Sequence, residues 1–95
     1  MAVLLHVRVA SATQDQFNEL DARVGQAMSD SGGPPPGLMS HVVYPDGDGF
    51  VVAEVWSTES QGLPYVDRVL RPLLSEPHLT ASETTVLPVG SFARP

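Results

Sequence analysis

Apolar side chains alternate with polar or facing ones along residues 2–10 (AVLLHVRVA). Val3, Leu5, Val7 and Val9 fall on one side and Leu4, His6 and Arg8 on the other, a period of two that predicts a strand. The period then lengthens. Phe17, Leu20, Val24 and Met28, with Ala27 beside them, recur at helical spacing, while Gln14, Asp15, Glu19, Asp21 and Gln26 fall mostly outside that stripe. Thr13 and Gln16 make a T-x-x-Q capping box at its start, and the helix is expected to end near Ser29–Asp30. Gly25 weakens it by up to about 1 kcal/mol and offers a place for another element to approach closely. Three prolines in Ser31–Gly37 (SGGPPPG) cannot continue a helix and predict a stiff, turn-rich connection. Residues 38–44 (LMSHVVY) and 50–57 (FVVAEVWS) read as strands joined by the hairpin turn 45–49 (PDGDG), where Asp46-Gly47 supplies the positive φ that such turns need. Ser57 or Thr58 is a cap for the next segment. A second helix is expected to start near Gly62–Pro64, with Leu63, Val66, Leu70, Leu73 and Leu74 on one face, a kink or restart at Pro72 and an end at Pro77. Residues 83–90 (ETTVLPVG) are the last strand. Pro88 puts it at a sheet edge, and Phe92 in the tail predicts docking.

The element order is β-α-β-β-α-β, the split-βαβ, ferredoxin-like arrangement: α+β, with a four-stranded antiparallel sheet and two helices on one face. Yet the strands are apolar on both faces. The third strand carries Val51, Ala53 and Val55 on one side and Phe50, Val52 and Trp56 on the other; the second sets Leu38 and Val42 opposite Met39 and Val43. A sheet wet on one side reads apolar in and polar out, so the open face predicts a second copy packed on it by two-fold symmetry.

A length of 95 residues predicts one domain, 1–95, with a modest core of its own. The net charge is −6, Lys is absent, and the arginines are scattered at Arg8, Arg23, Arg68, Arg71 and Arg94. Without a basic stripe, neither a nucleic acid nor an anionic membrane is an expected partner. The absence of cysteine removes disulfides, thiolate chemistry and Cys-type zinc sites. The opening MAVLLHVRVASA lacks the apolar run of a secretory leader, and the expected location is the cytoplasm.

Chemistry concentrates on few residues. Glu54 and Trp56 are two apart and share a face. Either Trp56 stacks on a flat ligand that Glu54 orients or deprotonates, or Trp56 is core and Glu54 pairs with Arg8 or a strand neighbour. His6 shares its face with Arg8 on a strand expected to adjoin the third. It is either an acid–base partner of Glu54, if the faces agree, or a core or interface histidine. Tyr65 and Arg68, three apart on the second helix, either line the mouth of a pocket or form a polar rim. His41 lies on the second strand and is a further ligand-binding candidate; His78 is a loop residue. The three histidines have no metal-ligand spacing, and Asp46 and Asp48 read as turn residues rather than a calcium loop. No metal or cofactor is expected.

The third strand and its exit, Val51-Val52-Ala53-Glu54-Val55-Trp56-Ser57-Thr58-Glu59, place an acidic residue two before a Trp and then a short turn into the second helix. In that pattern, and in length and element order, the chain resembles the dimeric α/β-barrel superfamily and, within it, the antibiotic-biosynthesis-monooxygenase-like domains. The resemblance implies a dimer. The family's better-known members are cofactor-free oxygenases of quinol-like aromatics; others degrade haem, isomerise lactones or have no known activity. Many carry a His on the second helix, several residues after the Trp. Here that stretch is Gln61-Gly62-Leu63-Pro64-Tyr65-Val66-Asp67-Arg68, and the only Asn is Asn18 on the first helix, so Trp56 alone of the usual oxygenase set carries over.

Two functions stay open. One is a cofactor-independent monooxygenase of a quinol-like or polyketide-like aromatic, with Trp56 shaping the pocket and His6 or Glu54 handling protons. The other is a non-catalytic dimeric binding or structural module. An enzyme requires a cavity of roughly 300 Å3 or more with convergent polar groups, and a tightly packed Trp56 with no adjoining void sinks that reading.

Overall fold

A computed structural model describes residues 1–75 and 79–90. The expected helix end at Pro77, the loop position of His78 and the docking of Phe92 lie outside the described residues. The elements are β1 (Val3–Ala10), α1 (Gln14–Asp30), β2 (Leu38–Asp46), β3 (Gly49–Trp56), α2 (Glu59–Tyr65), a π-helical turn (Val66–Leu70), α3 (Arg71–Ser75), β4 (Thr80–Ala81) and β5 (Thr85–Pro88). Across the sheet the order is β2-β3-β1, and β4 and β5 both pair with the far side of β1. Every pairing is antiparallel. This is the ferredoxin-like α+β fold. Among the described residues, no helix is long and apolar enough to cross a membrane.

The expected single last strand is two short ones. Ser82 separates them by taking over both backbone bonds of Arg8: the Arg8 N–H donates to Ser82 Oγ (2.9 Å) and the Ser82 N–H donates to the Arg8 carbonyl (2.8 Å). Pro88 does sit at the sheet edge, opposite Val3.

α1 starts as its capping box dictates, with Thr13 Oγ1 accepting from the Gln16 N–H at 3.2 Å and Gln16 Oε1 accepting from the Thr13 N–H at 2.8 Å. Its stripe buries Leu20 and Val24 against the sheet, with Phe17 edge-on to Phe50 at a centroid distance of 5.5 Å. Gly25 is exposed and nothing approaches it, so no close packing uses its missing side chain.

The second helical segment begins at Glu59, earlier than expected, because Thr58 Oγ1 caps the Gln61 N–H (3.2 Å). Pro64 is carried inside this first helical piece. The irregularity expected at Pro72 is spread over the preceding turn. Pro72 has no N–H to return to the chain, and just before it the helix widens, the Arg71 N–H bonding the Val66 carbonyl across a π turn. Val66, Leu70 and Leu74 still point inward and join Leu5, Val7, Val9, Val52 and Trp56 in one core.

In the hairpin, Gly47 takes the positive φ (58°). Arg8 reaches over from β1 and clamps the turn, with Nε 2.9 Å from Asp46 Oδ2 and an Nη 3.0 Å from Asp48 Oδ1. The Arg8 hydrogen bond, aided by Ser11, holds the Asp48 carboxyl below its ordinary range. The Asp46–Asp48 turn is structural.

One irregularity decides which side chains meet. Leu38 pairs with Trp56, but Ser40 then pairs with Val55, so Met39 is an extra residue in β2. Without this bulge Ser40 would stand beside Glu54 and His41 would face away. With it, His41 sits directly opposite Glu54, and Leu38 joins Val43 rather than Val42 on the helix-covered face. The simple alternation expected for this strand fails at that single insertion.

Candidate functional site

Glu54 is the one charged side chain buried in the core among the described residues, at 1% exposure. β3 aims it beneath the helices, between Leu5 of β1 and His41 of β2. Its Oε2 lies 2.7 Å from His41 Nδ1, and its Oε1 accepts the Trp56 indole N–H at 3.1 Å. A carboxylate removed from water requires such partners, and no buried side-chain nitrogen or oxygen among the described residues lacks one. With Glu54 ionised, Nδ1 of His41 is the donor, and in the neutral imidazole Nε2 is then the accepting nitrogen. His41 is about one-fifth exposed, so the pair is a buried carboxylate holding a partly accessible imidazole in one orientation.

Trp56 is fully enclosed. The Tyr65 ring lies over it at a centroid distance of 5.3 Å, inclined by 48°. α2 can press down this closely because of Gly62: a Cβ there would stand 2.7 Å from Trp56 Cγ and 2.8 Å from Leu5 Cδ1. Burial, and then the charge of Glu54, raise the Tyr65 phenol above its ordinary range. In Glu54→Gln the charge is gone and the burial remains, so the Tyr65 midpoint in an alkaline absorbance titration should fall part of the way back. Tyr44, the other tyrosine, serves as internal reference. An unmoved Tyr65 midpoint would show that the Glu54 charge does not reach it.

Beyond Tyr65 the structure opens. A cleft of about 240 Å3 is walled by Met28 at the end of α1, by Pro34, Pro35 and Pro36, and by Tyr65 and Val69. A smaller hollow of about 170 Å3 lies at the other end of β3, between Phe17, Pro45 and Phe50. Neither cavity adjoins Trp56, and both are smaller than the roughly 300 Å3 that an enzyme requires, so the condition set for an enzyme is not met.

Glu54 and Trp56 share a face as expected, and His41 and Tyr65 join them. His6 does not. Residues paired across neighbouring strands share a face, and Glu54 pairs with Leu5, whereas His6 pairs with Ala53 on one side and Thr85 on the other, on the sheet face away from the helices. Arg8 is on that same open face and is engaged by the hairpin acids, so it does not neutralise Glu54. Arg68 is exposed on the π turn and is not part of the cleft wall. The cleft walls Met28 and Pro34–Pro36 are not among the residues the sequence singles out, although a rigid run of prolines between helix and strand is the available signal. The His41–Glu54 contact has none, because it depends on the bulge.

No protein-family profile matches this chain, and no curated protein sequence does. Solved structures do. SnoaB, a cofactor-independent oxygenase from Streptomyces nogalater, is similar over 96% of this chain and 94% of its own, at 13% identity and a TM-score of 0.64. A provisionally named antibiotic biosynthesis monooxygenase from Chloroflexus aurantiacus is similar over 96% and 97%, at 21% identity and a TM-score of 0.63. Another from Deinococcus radiodurans is similar over 99% and 97%, at 16% identity and a TM-score of 0.60. At these identities the likeness speaks for the fold alone: this chain shares the ferredoxin-like fold of these proteins.

Proposed function

We propose that this protein is a small-molecule-binding homodimer of the dimeric α/β-barrel kind, and that its ligand is a flat, largely apolar, oxygenated aromatic. The observation that carries the reading is the cleft of about 240 Å3 that Tyr65 helps to line, its ring packed at a tilt on Trp56. The cleft's proline and methionine walls offer apolar contact to a planar molecule, and the phenol gives one polar anchor. The second copy belongs on the sheet face opposite the helices, where Val42 is 50%, Tyr44 42% and Leu87 46% exposed. Isolated large apolar side chains are ordinary on a surface, but these share a face with Leu4, Ala53 and Val55.

A second reading, a cofactor-independent oxygenase of quinol-like or polyketide-like aromatics, is favoured by one feature. The Glu54–His41 pair is an oriented proton acceptor, which is the role such chemistry needs at a substrate hydroxyl. Against it, Trp56 is sealed with no cavity beside it, His41 lines neither cavity, both cavities fall short of the roughly 300 Å3 an enzyme requires, and both Glu54 oxygens are engaged.

Trp56 is the single tryptophan and makes a built-in reporter. Titration with 1,4-dihydroxynaphthalene under argon should quench its emission through Tyr65, and Tyr65→Ala should weaken the apparent affinity by about tenfold. If no member of a panel of quinols and polyketide-like aromatics changes the emission, the binding reading falls. Repeating the assay with oxygen separates the two readings: uptake above the blank that is lost in His41→Gln supports the enzyme, and uptake equal to the blank leaves a binding protein.

A further inference from the structure

His6 is a titratable group that the proposed function leaves unused, and its surroundings are unusual for one. β1 places it in the interior of the sheet, on the face away from the helices, between the small side chains of Ala53 and Thr85. It makes no side-chain hydrogen bond among the described residues. The strand positions around it on that face are Leu4 and Arg8 on β1, Val51, Ala53 and Val55 on β3, Ser40, Val42 and Tyr44 on β2, and Thr85 and Leu87 on β5. Of these only Arg8 and Tyr44 can carry charge. Arg8 is committed to Asp46 and Asp48 in the hairpin. The nearest other carboxylate in sequence, Glu83, lies outside the strands in the exposed stretch between β4 and β5. The one carboxylate at a strand position of this face is Asp46, at the hairpin end of β2 opposite Gly49, and it is held by Arg8, in a chain whose net charge is −6. The face is thus poor in acids for a chain of this charge, and its hairpin acids are taken up by Arg8 at one end, so no free carboxylate stands beside His6.

We infer that His6 makes self-association pH-sensitive: two copies hold together while its imidazole is neutral and separate as it takes up a proton. This rests on the proposed dimer through the open face. Covering His6 with a second apolar face removes it from water. A neutral imidazole tolerates that at modest cost, whereas an imidazolium without a partner does not. The dimer therefore binds fewer protons than two separate chains, and linkage makes association weaken as pH falls through the histidine range. The general charge of the chain works in the opposite direction. As carboxylates protonate, the net charge of −6 shrinks and two copies repel less. A dimer that loosens on mild acidification is thus a signature of a specific buried group and not of overall charge.

Sedimentation equilibrium of the full chain from about pH 8 to about pH 5.5 tests this. The expected result is a dimer at the upper end whose dissociation constant rises, as pH falls through the histidine range, by up to about tenfold per pH unit for each proton the dimer excludes. His6→Gln and His6→Leu should remain dimeric across the range, and His41→Gln should keep the wild-type dependence. Circular dichroism on each variant confirms that the fold is present. A wild-type dimer of constant affinity overturns the inference and leaves the dimer intact. So does a pH dependence that persists in both folded His6 variants. A single-chain particle at every pH overturns the proposed dimer itself.

Discussion

Trp56→Ala should cost about 3–5 kcal/mol of folding stability, the upper range for a core truncation. Three losses add up at this position. The indole is fully enclosed, so its removal leaves a void rather than a solvent-filled notch. Its face supports Tyr65, and its edge is met by the backbone of α2 at Gly62, so neither neighbour can move in without breaking other contacts. Its N–H also satisfies Glu54 Oε1, and a buried acceptor left without a donor costs about 1–3 kcal/mol by itself. Native domains hold about 5–15 kcal/mol in total, so the variant should sit near the edge of folding. Trp56→Phe separates the parts: it keeps a six-membered ring and loses the N–H with two further ring atoms, so its cost should fall between the hydrogen-bond share and that of Trp56→Ala. Urea unfolding followed by circular dichroism measures both. A loss below about 1.5 kcal/mol for Trp56→Ala would mean that the cleft beyond Tyr65 collapses inward and heals the cavity.

The large pattern of this fold is written in the sequence and the site is only half written. The Thr13–Gln16 capping box, the Asp46-Gly47 hairpin, the helical stripe through Leu20 and Val24, the edge position of Pro88 and the shared face of Glu54 and Trp56 follow from period, cap and turn chemistry, which are local properties. What the pattern misses is non-local or one residue wide. Alternation assigns faces correctly along β1 and β3, but the extra residue at Met39 reverses them for the start of β2, and hydrophobic pattern cannot see it because Leu38 and Met39 are equally apolar. The choice between His6 and His41 as the partner of Glu54 turns on that insertion together with the β1–β3 register, neither of which is a property of any single segment. The π turn before Pro72 is similar: the proline announces a disturbance, but packing of Val66, Leu70 and Leu74 decides how the helix absorbs it.

His41→Leu should cost about 3 kcal/mol, and much of that cost should vanish when Glu54 is replaced as well. Removing His41 strands a carboxylate that is nearly wholly buried, and breaking a buried pair from one side typically costs about 3–5 kcal/mol. The lower end applies here because His41 is about one-fifth exposed, and water can follow into the space it vacates. In the double variant His41→Leu/Glu54→Leu no charge remains to desolvate, and apolar side chains of similar volume can fill a buried pair's place at little net cost. Only the Trp56 N–H is then left without its acceptor. A double-mutant cycle by urea unfolding should therefore show the two substitutions to be strongly non-additive, with the double variant more stable than the His41→Leu single by about 1–2 kcal/mol. That outcome would mean that the cost of His41→Leu is chiefly that of a stranded charge, and that the pair itself adds little net stability to the fold. Additive losses would instead make Glu54 a structural residue whose burial the fold requires, and the oxygenase reading would lose the one feature that favours it.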